Sequence, residues 1–128
     1  MSKFDTAKLF SFIQTMITKN YNYIIADHIK ASSFIISEGI MPSGKQRGYI
    51  LRRLIRRSLS ASLKLGIDIN NPLYFTELVD SVIRIYSGVY DELLESRDII
   101  IQTLILEAQK YQKAIQTGHK EWAKILKN

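Results

Sequence analysis

Apolar residues recur at helical spacing along the whole chain, and this periodicity limits the possible fold more than any other feature of the sequence. Between residues 24 and 36, for example, large apolar side chains return to the same side of an α-helix. Six glycines and two prolines in 128 residues are too few for a turn-rich β architecture. We therefore predict an all-α fold: a single helical domain over residues 1–128, with about five helices and a long C-terminal helix.

Polar or glycine-containing segments divide the pattern into five helices. Asp5 or Thr6 is suited to cap the first helix, and the polar run at residues 18–20 is expected to end it. Gly39, Gly66 and Gly88 are expected to end the next three helices. The expected buried stripe of the first helix consists of Leu9, Phe10, Phe12, Ile13, Met16 and Ile17. The later helices are predicted over residues 23–38, 47–65 and 73–86, and from 91 towards 126, where Gly118 is a possible interruption.

Positive charge is concentrated in one segment. Between Glu38 and Asp68 there is no acidic residue, whereas the same interval holds seven basic ones: Lys45, Arg47, Arg52, Arg53, Arg56, Arg57 and Lys64. This local charge of +7 exceeds the net charge of +6 of the whole chain. At 100° per residue, the last five of these residues fall within an arc of about 140° on the third predicted helix. The opposite arc consists of Leu51, Leu54, Ile55, Leu59 and Ala61.

This basic arc predicts an anionic partner. Arginines one turn apart repel one another, and guanidinium groups pair well with phosphate. The alternative is that carboxylates from another helix neutralise them, the candidates being Asp91, Glu92, Glu95 and Asp98. We expect both: one or two arginines in internal salt bridges and the others available to a polyanion. Charge alone does not distinguish RNA from DNA.

The loop before the basic helix is a second candidate contact. It combines small polar groups, a flexible backbone and two charges at a helix N-terminus, where amide groups point outward. Such a loop is able to touch base edges while the helix holds the phosphate backbone. It is equally well explained as a plain connection between two helices. The candidate residues are Ser43, Gly44, Lys45, Gln46 and Arg47.

Two stretches of the chain resemble the alanyl-tRNA synthetase family. Residues 25–43 match its Ala-Asp-His-Ile-Arg-type helix and the Gly-Val-Leu-Pro-Ser-Asn loop, and residues 47–57 match its Arg-Gly-Tyr-Val-Leu-Arg-Arg-Ile-Ile-Arg-Arg helix. The resemblance implies a helical segment that follows the class II aminoacylation domain and docks the acceptor stem of alanine tRNA. In that family a G·U wobble pair is read mainly from the minor groove, which is wide and shallow in A-form RNA.

The chain departs from the family pattern at the loop. Gly44 stands where the family has the Asn associated with wobble-pair recognition, so Ser43, Lys45 or Gln46 would have to replace that contact. The ATP-binding and metal-ligating editing motifs of the family are also missing. We therefore expect no catalytic residues, metal ligands or cofactor in this chain, since the ATP, Mg and Zn sites of the family enzyme lie elsewhere. His28 is interpreted as a satisfied core histidine, and His119 has no set of partners.

The expected partners follow from the same resemblance. They are the acceptor stem of alanine tRNA and the remainder of a larger, cytoplasmic synthetase of which this chain is a monomeric fragment. The absence of Cys excludes disulfides and thiolate metal sites, and no run of 18 apolar residues is present to span a membrane. Two alternatives stay open: another helical nucleic-acid-binding module, and a module that binds protein or a membrane surface through its basic amphipathic helix.

Overall fold

The computed structural model describes residues 5–127, which form five α-helices and no β-strand. The all-α prediction and the long C-terminal helix are confirmed. The helices are α1 (Thr6–Ser37), α2 (Gln46–Lys64), α3 (Pro72–Ile85), α4 (Asp91–Glu95) and α5 (Arg97–Lys127). None of them is long and apolar enough to cross a membrane.

The first helix is longer than predicted, because residues 18–20 do not end it. Asp5 caps α1 by accepting hydrogen bonds from the amides of Ala7 and Lys8, both at 3.1 Å. No Gly or Pro occurs between this cap and Gly39, so nothing in the backbone forces a break at the polar residues. α1 therefore continues for 32 residues, until Gly39 follows it with φ of +93°.

The apolar stripe near the start of α1 is exposed, contrary to the prediction that it is buried. Every residue from 5 to 20 is exposed to solvent, including Phe10 and Phe12 at 64% and 63%. The reason is the length of the neighbouring helices: α2 ends at Lys64, whose ammonium lies 5.4 Å from the centre of the Tyr21 ring. Among the described residues, the core cluster and the side chains packed against it include no residue of α1 before Tyr21.

The predicted final helix is divided in two. α4 ends at Glu95, with Ser96 as its C-cap, and α5 begins at Arg97, whose guanidinium is held by Asp80 of α3. The Arg97 Nε donates to Asp80 Oδ1 at 2.6 Å and Nη2 donates to Oδ2 at 3.1 Å. This two-pronged ion pair fixes the first turn of α5 against α3. Gly118 does not interrupt α5, in keeping with the cost of about 1 kcal/mol for one Gly inside a helix.

The core lies where α1, α2, α3 and α5 meet. α1 and α2 form an antiparallel pair, with Glu38 beside Arg47 at one end and Tyr21 beside Lys64 at the other. α5 runs along α2 in the same direction. The most deeply buried apolar side chains are Ile29, Leu51, Ile55, Leu59, Ile69, Phe75, Val79, Leu93, Ile100 and Leu104.

Small hydroxyl residues occupy several further buried positions of α1 and α2. Ser33, Ser58 and Ser62 each donate a hydrogen bond to a carbonyl of the preceding turn, at 2.7–2.8 Å. The Ser62 hydroxyl also lies 2.6 Å from the hydroxyl of Tyr74, and burial raises the pKa of that phenol. Small side chains allow the two helices to approach closely, which places the basic side of α2 in a fixed orientation relative to the core.

Candidate nucleic-acid interface

The basic and apolar sides of α2 are separated as the sequence predicts. Leu51, Ile55, Leu59 and Ala61 are at most 3% exposed and belong to the core. The opposite side carries the cations, which we call the basic face and define as Arg52, Arg53, Arg56, Arg57 and Lys64. Since the apolar side is buried in the core, the orientation of the basic face is set by the packing of the domain.

A buried carboxylate lies beneath one part of the basic face. Glu107 of α5 is 2% exposed, and its Oε2 accepts a hydrogen bond from Arg56 Nε at 2.7 Å. The Nε of Arg52 lies 3.4 Å from the same oxygen. The two arginine side chains remain about one-third exposed, at 28% and 33%. A charge buried this deeply requires a counter-charge, so Arg52 and Arg56 are needed by the protein itself.

The internal pairing was predicted, but its acidic partner was not. Among the ion pairs of residues 5–127, none joins Asp91, Glu92 or Glu95 to the basic face, and Asp98 lies against Arg97 instead. These four carboxylates lie in α4 and the first turn of α5, away from the middle of α2. Glu107 had one recognisable feature in the sequence: it adjoins Leu104 and Ala108, on the edge of the apolar stripe of α5. An acid in such a position requires a partner.

The other part of the basic face has no such carboxylate. Arg53, Arg57 and Lys64 are exposed, and within residues 5–127 no carboxylate oxygen comes within 4.0 Å of their charged nitrogens. Their positive charge is therefore not neutralised by a direct contact inside the described part of the chain. This is the arrangement expected of side chains that meet an external anion.

Two adjoining grooves run along the basic face. The larger has a volume of about 420 Å³ and is lined by Tyr49, Arg52, Arg53, Arg56, Arg57, Ser60 and Tyr111. The smaller, about 200 Å³, is lined by Tyr21, Ile24, Arg57, Ser60, Ala61 and Lys64. Arg57 and Ser60 belong to both grooves, so the two form one continuous strip. All five cations of the basic face line this strip.

The predicted loop residues lie beyond the N-terminal end of the strip and line neither groove. Ser43 organises the loop: its amide donates to the carbonyl of Gly48 at 3.1 Å, and its hydroxyl donates to the carbonyl of Lys45 at 3.1 Å. The hydroxyl also accepts from the amide of Lys45 at 3.4 Å. Gln46 has φ of +53°, in the left-handed region. Arg47 forms an exposed ion pair with Glu38.

Two glycines of this region differ in the space around them. A Cβ atom built on Gly48 would come within 2.1 Å of the Ser43 hydroxyl oxygen and 2.7 Å of the carbonyl oxygen of Met41. Gly48 is thus required for the loop to lie against the first turn of α2. Gly44 is exposed, and no atom of another described residue, its two chain neighbours apart, lies within 4 Å of the corresponding position. The position at which the chain differs from the family pattern therefore has room for a larger side chain.

Only one of the two ring nitrogens of His28 has a hydrogen-bond partner among the described residues. Its ring is 12% exposed and its Nδ1 lies 3.2 Å from Asp27 Oδ2, while Nε2 has no hydrogen-bond partner among the described residues. His119 is exposed on α5. Within residues 5–127 no group of three His, Asp or Glu side chains is placed to hold a metal ion.

The chain is similar in sequence to a known protein family. The family model described as tRNA synthetases class II (A) matches residues 5–128. The alanine–tRNA ligase of Mesoplasma florum is 40% identical over 115 residues, which cover 90% of this chain and 12% of the relative. That of Borreliella afzelii is 46% identical over 107 residues, covering 82% of this chain and 18% of the relative. That of Xanthomonas campestris is 35% identical over 97 residues, or 76% of this chain and 11% of the relative.

The family model takes in the antiparallel pair α1–α2, the glycine-dependent loop between them and the basic face. The chain spans less than a fifth of the length of these relatives. Together with the order and spacing of its motifs, these matches show that the chain belongs to the class II alanyl-tRNA synthetase family.

Proposed function

We propose that this chain is the segment of an alanine–tRNA ligase that docks the acceptor stem of alanine tRNA, with the basic face of α2 on the RNA backbone. The observation that carries the proposal is the contrast within that face. Arg52 and Arg56 are held by Glu107, whereas Arg53, Arg57 and Lys64 are exposed and have no carboxylate within 4.0 Å in residues 5–127. The residues proposed to contact RNA are thus Arg53, Arg57 and Lys64. Arg52 and Arg56 lie beside them and are paired with Glu107.

Phosphate is the anion that this arrangement suits best. A guanidinium group donates two parallel hydrogen bonds to phosphate oxygens, and a row of phosphates meets a row of cations along a helix. The apolar side of α2 is buried in the core, so its exposed cations lie on one side of the domain. Binding of this kind releases counter-ions and therefore weakens steeply as salt is added.

The loop at the N-terminal end of the basic face is proposed to approach the base edges. Lys45, Gln46 and Arg47 are exposed, and the hydrogen bonds of Ser43 hold the backbone between them and α2. Gly44 supplies no side-chain donor or acceptor at the family's Asn position. We therefore expect the loop to help position the RNA on the domain and to discriminate little between base pairs.

We propose that the rest of the ligase carries out the remaining steps of aminoacylation. The relatives are several times longer than this chain, and the chain carries no family motif for ATP or for the editing metal. The proposed partners are accordingly alanine tRNA and the neighbouring domains of the same synthetase.

A binding titration tests the proposal. The chain is titrated against an alanine-tRNA acceptor hairpin, a non-cognate hairpin and duplex DNA at several salt concentrations. We expect binding to RNA to weaken linearly in log–log form with salt, and each of Arg53→Ala and Arg57→Ala to lower the slope by about 0.9 or slightly less. Tighter binding to the DNA duplex, or slopes that neither substitution changes, would contradict the proposal.

Discrimination between base pairs is tested separately, at Gly44. The unmodified chain is expected to bind hairpins with G·U and G·C at the third pair with less than about a tenfold difference, or roughly 1.4 kcal/mol. Gly44→Asn is accommodated without a clash and should widen this difference, because a well-placed contact in a groove contributes about 1–3 kcal/mol. A preference well above tenfold before the substitution would show that another residue reads the pair.

A further inference from the structure

Aromatic rings accompany the cations along the whole basic face. Arg53 Cζ lies 5.9 Å from the centre of the Tyr49 ring, Arg56 Cζ lies 5.8 Å from that of Tyr111, and Lys64 Nζ lies 5.4 Å from that of Tyr21. The three tyrosines come from α2, α5 and α1, so three different helices place a ring beside a cation of the same strip. The charge pattern of the sequence does not reveal these rings, because they come from three different helices.

From this arrangement we propose that the basic face binds an unpaired RNA segment, with a base stacked on Tyr49 in the larger groove and adjacent phosphates on Arg53 and Arg57. The inference rests on the proposed function and extends it from the paired stem to a single strand that continues from that stem. In this proposal the tyrosines stack on bases. Contacts to phosphate alone would not need these rings.

Tyr49 is the ring best placed for this role. It is 47% exposed and lies at the edge of the larger groove, outside the core. Tyr111 lines the same groove but is partly buried against the core. The groove, at about 420 Å³, falls in the range of roughly 300–1,000 Å³ that is typical of small-molecule sites. Its size therefore suits a single base with part of its sugar.

The strand must be unpaired for its bases to use these rings. In a duplex each base is stacked between its neighbours, and only its edges are accessible in the grooves. An unpaired base offers its face, and stacking on an aromatic side chain contributes without regard to sequence. Cations beside aromatic rings are the combination that single-strand-binding surfaces share. A duplex would use the cations of this face and leave Tyr49 without a function.

The strip is long enough for more than one nucleotide. Tyr49 and Lys64 are fifteen residues apart on α2, a rise of about 22 Å at 1.5 Å per residue. The shared lining by Arg57 and Ser60 makes the path between them continuous. Tyr21 and Lys64 at the far end provide a second ring beside a cation, where a following base is able to stack.

Two RNA hairpins test this proposal with the full chain. They share one stem, but one carries a short 3′ single strand with 2-aminopurine in place of a base, and the other is blunt. We expect the tailed hairpin to bind about tenfold more tightly than the blunt one. The fluorescence of 2-aminopurine should be quenched on binding, because stacking on an aromatic ring quenches it.

Tyr49→Ala and the matched control Tyr49→Phe assign the effect to the ring. With Tyr49→Ala the affinity for the tailed hairpin should fall about tenfold, to that of the blunt hairpin, and the quenching should be lost. Tyr49→Phe keeps the ring and should bind both hairpins as the unmodified chain does. Thermal melting of each variant shows that the fold is retained, as expected for an exposed side chain.

The possible failures are distinguishable. Equal affinity of the unmodified chain for the two hairpins, or an equal loss for both with Tyr49→Ala, overturns the stacking proposal. If Arg57→Ala still weakens binding in that case, the proposed function stands without it. If neither hairpin binds, or if Arg57→Ala changes neither affinity, the proposed function fails and the stacking site fails with it.

Discussion

Arg56 and Arg57 are neighbours in sequence and both belong to the basic face, yet their surroundings differ. Arg56 Nε lies 2.7 Å from a carboxylate that is 2% exposed, whereas Arg57 is exposed and has no carboxylate within 4.0 Å among residues 5–127. Arg52, like Arg56, lies beside Glu107, and Arg53, like Arg57, is exposed. The difference arises because α5 packs along one edge of α2 and leaves the other edge open.

This contrast separates two uses of the same residue type. An arginine that neutralises a buried acid stabilises the fold, and its removal leaves a charge without a partner. An exposed arginine contributes little to stability and is available to a ligand. We infer that a dense run of arginines in a sequence need not be one functional unit. Its members are distinguished by what the rest of the fold places beneath them.

The largest expected effect is the loss of the buried acid. Glu107→Ala removes the counter-charge of Arg52 and Arg56 and should lower the free energy of unfolding by about 3 kcal/mol. Glu95→Ala is the control, because Glu95 is an exposed carboxylate in no ion pair with the basic face, and it should change stability by less than about 0.5 kcal/mol. Chemical denaturation of the two variants measures both values. Equal losses would mean that Glu107 is not holding the arginines.

An intermediate effect on stability is expected at the loop before α2. There Gly48 is crowded by neighbouring atoms, whereas Gly44 is open to solvent. Gly48→Ala forces a methyl group against Ser43 and the carbonyl of Met41, and should cost about 2 kcal/mol. Gly44→Ala meets no atom and should leave the free energy of unfolding within about 0.5 kcal/mol of the unmodified chain. Thermal melting compares the two. A neutral Gly48→Ala would show that the loop moves aside without cost.

The smallest effect concerns an ion pair on the outside of the fold. The hydrogen bond from Arg97 holds the pKa of Asp80 below its ordinary value of 3.8. Since the folded-state pKa is lowered, the pair stabilises the fold above about pH 3.8, and this contribution is lost as the pH falls through the folded-state pKa. Asp80→Asn should therefore reduce stability near neutral pH and have a smaller effect at pH 2. Melting curves at both pH values measure this, and an equal loss at both would contradict it.

Much of the fold was predictable because local chemistry determines it. Gly39, Gly66 and Gly88 follow the ends of three helices with positive φ, as their spacing indicates. The division of α2 into an apolar and a basic side was likewise correct, since both follow from helical geometry. The continuous α1 was missed because the polar run at residues 18–20 was expected to break it, although polar residues without Gly or Pro are compatible with a helix.

The errors concern contacts between distant segments. The exposure of Phe10 and Phe12 depends on where α2 ends, and a single-helix pattern carries no information on that. The pairing of Arg56 with Glu107 joins residues 51 positions apart. The approach of Tyr111 to the same arginine also depends on the packing of α5. The basic face was therefore predictable in composition, whereas its division into paired and open arginines required the tertiary structure.

The most direct test of this division is a salt titration of RNA binding with two variants, Arg56→Ala and Arg57→Ala, each also followed by thermal melting. Arg57→Ala should lower the slope of log affinity against log salt by about 0.9 or slightly less and leave the melting temperature nearly unchanged. Arg56→Ala should lower the melting temperature clearly, because Glu107 is left buried with only Arg52 nearby, and should change the slope less. Identical behaviour of the two variants in both measurements, or the reverse assignment, would contradict the account.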